Sequence, residues 1–553
     1  MGVSFAIGVS DFAALINNKA TYIDKSLWIK DLFEDLSGVI LFPRPRRFGK
    51  TLNLSMLRYF LDCRGPKSRA LFDHLSISTI PEIMAHQGQY PVIFISLKEI
   101  KKASYSGAMN AIALLIQELF SAHKDLYDRL SPEYQHRFDR LLNLNASEEE
   151  LAKSLHFLSQ LLESRYQQKV WILIDEYDTP IHEAWTHDYY EKMKTFMQGF
   201  LGSALKDNNA LYKSVLTGIL RVSKEGLFSD LNNLTVHSML SSFYGQYFGF
   251  TEQEVDWICE QADLSPEREA VRAWYNGYKF GELNIYNPWS IINFAKNRTL
   301  EPYWVNTGSS AIIESLISKA PASFKSDFET LIQGGVITKP IDEKISLPMI
   351  QSSAVNAVWS FLLFSGYLKV VSINRDTEDF LCEIAIPNTE IARLYQRYFM
   401  NWLTPISNPE QGEKMLKALV AGDLPVFEKH FLGYVRDTLS YFDVSGDQPE
   451  NFYHALVLGI LSALKNTHQI SSNRESGDGR YDVMIIPLDI SKPGIIIEFK
   501  VADTEKLMPK AAKEALAQIK AKNYQAELET RGIQKILKLA IVFHGKKVLI
   551  KIG

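Results

Sequence analysis

Two groups of residues in this 553-residue sequence have the types and spacing for phosphate chemistry. The first starts at the apolar run Val39-Ile40-Leu41-Phe42, passes through Arg44-Pro45-Arg46-Arg47-Phe48-Gly49-Lys50-Thr51 and continues as an amphipathic run from Leu52 to Leu61. Strand, loop and helix in that order present a helix N-terminus, whose free N–H groups and dipole attract anions. Within such a loop a lysine reaches the β- and γ-phosphates and a hydroxyl ligates Mg²⁺. The spacing gives those roles to Lys50 and Thr51, with Arg46, Arg47, Phe48, Gly49 and Leu52 as the other nucleotide-binding positions. The usual spacing G-x-x-x-x-G-K-[ST] asks for glycine where this chain has Arg44, so the loop needs a second warrant.

That warrant is the run Val170-Trp171-Ile172-Leu173-Ile174, a buried-strand pattern that ends directly in Asp175-Glu176. Asp175 at a strand end can orient a magnesium-bound water, and Glu176 can polarise the attacking water as general base. Alone, the two acids would more simply cap a helix; paired with the loop, they complete a hydrolysis site. A further strand ends near Thr217, which would place a polar group beside the γ-phosphate, and Arg221 follows, able to act within the chain or on a neighbour.

The second group lies near the C-terminus. The runs Tyr481-Pro487 and Gly494-Lys500 read as an antiparallel pair, and alternation along a strand puts Glu498 and Lys500 on one face and Phe499 on the other. Asp482 reaches the same end of the hairpin. Two carboxylates and a lysine are the parts of metal-assisted phosphodiester cleavage, the acids holding Mg²⁺ and the lysine orienting or deprotonating water. Glu-x-Lys is common on solvated strands. Here Ile495-Ile496-Ile497 and Phe499 mark the strand as buried, so charges at its end need a reason. Glu475 is a possible additional acid, and Gln518 on the following helix can face the same pocket.

The elements that must hold these residues follow from periodicity. Between Gly38 and about Phe250, short β-rich runs at Val39-Phe42, Val92-Leu97, Val170-Ile174 and Ser214-Thr217 alternate with helical patterns, as expected of an α/β domain with a parallel sheet. The stretch Ser106–Tyr166 reads as mostly helical. From about Thr251 the β pattern is expected to stop in favour of a helical lid rich in Trp and Tyr. Near Val355–Ile386 a helix leads into the runs Leu368-Ile373 and Phe380-Ile386, a winged-helix-type unit, followed by a helical connector over about Asn388–Asp443. A last α/β segment reads helix Phe452-Leu464, the two strands above, helix Lys506-Tyr524 and strands Ile536-Phe543 and Lys547-Ile552. The expected modules are 1–250, 251–350, 351–443 and 444–553.

Hydrophobic residues at 46% and charged residues at 22% exclude a disordered chain, and a net charge of −4 excludes a surface coated in basic charge. Any nucleic-acid contact must use local patches, such as Arg44, Arg46, Arg47, Lys50 and Arg58, or the segment Lys500–Gly553, which carries 12 Lys/Arg against 5 Asp/Glu. Cys63, Cys259 and Cys382 lie far apart and give no zinc spacing or disulfide framework. With no run of about 18 apolar residues, the expected location is the cytoplasm, with no membrane partner.

The chain resembles a bacterial family with an AAA-ATPase-like N-terminal domain and a C-terminal PD-(D/E)XK nuclease-superfamily domain. The resemblance rests on Tyr22-Ile23-Asp24-Lys25-Ser26, Arg44-Pro45-Arg46-Arg47-Phe48-Gly49-Lys50-Thr51-Leu52, Leu173-Ile174-Asp175-Glu176-Tyr177-Asp178-Thr179-Pro180, Gly218-Ile219-Leu220-Arg221, Tyr286-Asn287-Pro288-Trp289-Ser290, Gly479-Arg480-Tyr481-Asp482 and Glu498-Phe499-Lys500. It implies an α/β P-loop NTPase with an AAA-like parallel sheet, then a helical and winged-helix-like region, then a small α/β nuclease-like domain. It also implies that Arg44 is normal for this loop and that Asp482, Glu498 and Lys500 are the nuclease positions. The expected ligands are ATP and Mg²⁺, and the expected partner is nucleic acid, DNA ahead of RNA, with a homo-oligomer open and defence against mobile elements a suggested role. The competing reading is a nucleotide-switched binding module whose nuclease-like domain is inactive.

Overall fold

The computed structural model describes the chain except residues 1–2, 66–67, 221–230, 308–321, 333, 346–354, 375–379, 396–408, 440–456, 458–459, 462–463, 465–466, 473–474, 477–478 and 546. It divides into two compact units, one formed by Met1–Ser309 with Val336–Ile391 and the other by Ser310–Gly335 with Ala392–Gly553.

The first unit is built on five parallel strands, β1 (Val39–Pro43), β2 (Val92–Ser96), β3 (Val170–Asp175), β4 (Leu211–Gly218) and β5 (Leu234–Val236), in the spatial order β2-β3-β4-β1-β5. Every residue of β1 and β3 is buried, as unbroken apolar strands in a sheet covered on both faces should be. The long crossover between β2 and β3 is helical at Tyr105–Ser121, Pro132–Leu142, Glu148–Ala152 and Ser154–Tyr166, matching its sequence pattern. The order places β4 between the strand that feeds the phosphate loop and the strand that ends in Asp175, with Phe42 opposite Thr217 and Ile174 opposite Leu216.

After β5 the expected all-helical lid is corrected. Helices Glu252–Gln261, Arg268–Tyr275 and Pro288–Asn297 are present, but β6 (Phe250–Thr251), β7 (Tyr278–Phe280) and β8 (Leu283–Tyr286) form an antiparallel sheet among them. Strands of two to four residues are too short to show an alternating pattern. The helix Val355–Phe364 then leads into a three-stranded antiparallel sheet of β9 (Ile337–Pro340), β10 (Lys369–Asn374) and β11 (Leu381–Ala385), ordered β10-β11-β9. Most of the turn read between β10 and β11 lies outside the described residues.

The second unit holds the helices Pro409–Ala421 and Leu424–Leu439 and a five-stranded sheet in the order β12-β15-β16-β17-β18. Its strands are β12 (His468–Ser472), β15 (Val483–Pro487), β16 (Gly494–Val501), β17 (Ile536–His544) and β18 (Lys547–Ile552), with β13 (Glu475–Ser476) and β14 (Gly479–Arg480) as a short separate ribbon. β15 and β16 are antiparallel, as read from the sequence, with Val483 opposite Ile497, while β16 and β17 are parallel and joined through the helix Met508–Ala521. Most of the helix read at Phe452-Leu464 lies outside the described residues. Among the described residues no helix is long and apolar enough to cross a membrane, and the three cysteines are unbridged.

Candidate functional site

The phosphate loop runs from β1 to the helix Lys50–Leu61, whose N-cap is Gly49 at φ +83°, a left-handed turn that glycine adopts without strain. Thr51 Oγ1 donates to Asp175 Oδ2 at 2.8 Å, Thr217 Oγ1 donates to Asp175 Oδ1 at 2.7 Å, and Ser96 Oγ approaches Oδ2 at 3.4 Å. The fully buried Asp175 carboxylate is thus oriented by hydroxyls from the loop helix and from both neighbouring strands. Lys50 is 6% exposed, and its ammonium donates to the carbonyls of Arg44 and Pro45 at 2.9 Å each. Burial lowers its pKa, opposed by the charges of Glu176, Asp175 and Asp178.

Glu176 sits in the left-handed region at φ +50°, a conformation that costs a non-glycine residue about 1 kcal/mol. Anchors just after it offset that cost. Tyr177 donates its N–H to Thr217 O at 3.1 Å and its hydroxyl to Leu220 O at 2.6 Å, and Asp178 Oδ2 accepts from the N–H groups of Ile219 and Leu220 at 2.8 and 3.0 Å. Gly218 is required at that junction, because a Cβ would lie 2.6 Å from the Tyr177 ring. Asp178 and Tyr177 are the residues here whose importance the sequence reading did not assign. Arg221, expected beside this segment, lies outside the described residues.

Arg44 does not face the site. It is fully buried, with Nη1 donating to Pro43 O and His237 O and the guanidinium lying 5.0 Å from the ring centres of both Phe248 and Phe280. Desolvation pushes its pKa down to about 9. The arginine therefore fills the space under the loop, and its place in the basic patch read from the sequence is corrected. Arg46 and Arg47 are exposed, and Arg47 lies 4.2 Å over the Trp289 ring. Phe48 packs its side chain on Tyr278 and Phe280, leaving its backbone N–H as what it offers a ligand. Leu52, half-buried, lies in the first turn of the helix.

In the second unit, Glu498 is 1% exposed within β16, with Lys500 Nζ 3.8 Å from its Oε1. Asp482, just before β15, accepts at Oδ2 from the Phe499 N–H at 2.8 Å, which brings it alongside the stretch of β16 that holds Glu498. Gln518 donates Nε2 to Glu498 Oε1 and lies 3.2 Å from the Tyr524 hydroxyl. Burial raises the Tyr524 pKa, and the charges of Glu498 and Asp482 add to that. The side chain of Glu475 lies outside the described residues.

Residues 6–228 match the family model described as predicted AAA-ATPase, and residues 448–552 match that of the PD-(D/E)XK nuclease superfamily. The chain joins an AAA-ATPase-like domain to a PD-(D/E)XK nuclease-superfamily domain. A protein of Azotobacter chroococcum mcd 1, described as an uncharacterized protein in the vnfD 5′ region, is 25% identical over 536 residues, covering 95% of this chain and 94% of its own.

The donors at both places suit a hard divalent cation. The AAA-ATPase-like domain sets a hydroxyl beside a carboxylate, and the nuclease-superfamily domain sets two carboxylates on neighbouring antiparallel segments. Among the described residues no three or more His, Cys, Asp or Glu side chains gather into a cage. A cation at either place would take few oxygens from protein, as Mg²⁺ commonly does.

Proposed function

We propose that the chain hydrolyses ATP in its first domain and uses nucleotide turnover to control metal-dependent cleavage of nucleic acid, DNA ahead of RNA, in its last. The observation that carries the reading is the 2.8 Å bond from Thr51 to Asp175, since it unites the two halves of a phosphate site that the sequence keeps 124 residues apart. Thr51 and Asp175 would hold Mg²⁺, which would neutralise phosphate charge there. Gly49, Lys50 and the N–H groups of Arg46 to Leu52 would bind phosphate, Thr217 would orient Asp175, and Glu176 would accept the proton of the attacking water, with Arg221 completing the site. Asp482 and Glu498 would hold the cation of the second site and Lys500 would orient water.

The test is purified protein assayed for ATP hydrolysis and for cleavage of linear, circular and single-stranded DNA and RNA with Mg²⁺ or Mn²⁺. Lys50→Ala and Glu176→Gln should abolish hydrolysis, and Asp482→Ala or Lys500→Ala should abolish cleavage alone. A protein that hydrolyses ATP and cleaves none of these, and whose function survives Asp482→Ala, is instead the nucleotide-switched binding module.

A further inference from the structure

One carboxylate in the first unit has no part in the chemistry above. Glu390 is fully buried, and a buried acid persists only where donors meet it. Three do: Ser290 Oγ donates to Oε2 at 2.8 Å, and the N–H groups of Trp304 and Val305 donate to Oε1 at 2.6 and 3.4 Å. These donors come from segments about 85 to 100 residues upstream in the chain.

What those segments do next gives the carboxylate its meaning. Trp304 donates its indole Nε1 to the carbonyl of Arg46 at 2.9 Å, and Asn287, three residues before Ser290, approaches the same carbonyl at 3.4 Å. Arg46 precedes Arg47, which stands at φ +66° with its guanidinium over Trp289. A non-glycine residue holds a left-handed turn only where its surroundings impose it, and here the carbonyl anchor and the tryptophan stack impose it. Trp304 and Glu390 also stand shortly before Ser309 and Ile391, two of the points at which the chain leaves the first unit.

We propose that Glu390 is a positioning residue for nucleotide binding: through Trp304 it fixes the Arg46 carbonyl, and with it the phosphate loop, and so ties nucleotide occupancy to the connections that lead into the second unit. The inference rests on the proposed nucleotide site and names a regulator of it.

A double-mutant cycle in affinity for a fluorescent ATP analogue tests it, using full-length protein. Glu390→Gln should weaken binding about tenfold and Trp304→Phe about fivefold. The double variant should bind no worse than Glu390→Gln alone, because the two changes break one chain of bonds. Hydrogen exchange in the peptides around residues 300–307 and 386–395 should slow on adding the analogue to the wild type and stay unchanged in Trp304→Phe. Single variants that bind as the wild type does, or losses that multiply to about fiftyfold in the double variant, would overturn the proposal. If Glu390→Gln does not fold, unchanged affinity in Trp304→Phe alone does so. A wild type that binds no analogue overturns the nucleotide site itself, a different result from a wild type that binds while its variants do too.

Discussion

Asp178→Asn isolates the anchor that holds Glu176 in place. Asp178 Oδ2 accepts two backbone N–H groups at 2.8 and 3.0 Å and lies 3.4 Å from His182 Nε2. Asparagine keeps an oxygen there and removes the charge. A hydrogen bond to a charged acceptor contributes about 1.5–3 kcal/mol against about 0.5–1.5 for a neutral one, so two bonds lose about 2 kcal/mol together. Melting of the first unit should fall by about 3 °C. Burial acts to raise the Asp178 pKa, but the hydrogen bond and charge of His182 and the N–H groups of Leu220 and Ile219 prevail and lower it. Its folded value is below its unfolded value, so the stabilisation is complete above the ordinary aspartate range near about 4 and is lost as pH falls through the folded value. Thermal melting of both proteins between pH 7 and pH 3 should therefore show a gap that closes in acid. At pH 7 the variant should lose kcat for ATP and keep KM, since the lost bonds position Glu176 and not the phosphates. Equal melting at pH 7, or a gap of constant size down to pH 3, would refute the assignment.

Arg44→Gly rebuilds the usual glycine spacing, yet it should weaken the protein by about 3 kcal/mol, because it empties the space between Phe248 and Phe280; melting temperature should drop with no gain in nucleotide affinity. Burial pushes the Glu390 pKa up to about 7, against the donors that favour its charge. Its folded value exceeds its unfolded value, so its contribution is greatest below about pH 4.5 and is lost as pH rises through about 7. Melting curves of wild type and Glu390→Gln should show that component, about 3 kcal/mol, only in the wild type. Gln518→Ala, which removes a donor to Glu498, should lower nucleic-acid cleavage about tenfold and raise the Mg²⁺ concentration needed, with ATP hydrolysis unchanged.

What the sequence made legible follows from burial. Val39–Pro43 and Val170–Asp175 are almost wholly apolar strands, so their ends, and the positions of Lys50, Thr51 and Asp175 at or just beyond them, could be read from the sequence. Strands β5 to β8 escaped because they span two to four residues, and β12 because His468-Gln469-Ile470-Ser471-Ser472 is too polar to suggest a sheet member. Arg44 was read as basic charge near phosphate; only the position of Phe248 and Phe280 shows that its guanidinium turns inward. Glu390 gave no signal, since its partners lie far away in sequence and two of them are backbone groups.

The two candidate sites share a construction that explains why each could be proposed from its strand. In both, an apolar strand inside a sheet carries a carboxylate that is almost wholly buried, Asp175 as the last residue of β3 and Glu498 within β16. A buried carboxylate must be met by hydrogen-bond donors. They do so here: Thr51 and Thr217 from adjacent elements at Asp175, and Gln518 from the following helix with Lys500 of the same strand at Glu498. At Asp175 the donors are hydroxyls, which can turn their lone pairs to a cation while the carboxylate keeps its place. At Glu498 they are an amide and an ammonium, which cannot ligate a cation through those nitrogens. Cation affinity at Glu498 should consequently depend more on Asp482 than affinity at Asp175 depends on Thr217. Titrating Mn²⁺ into Asp482→Asn and Thr217→Val, followed by the broadening of water relaxation, should show the larger loss in Asp482→Asn; a larger loss in Thr217→Val would mean that the hydroxyls, and not a second carboxylate, set the affinity.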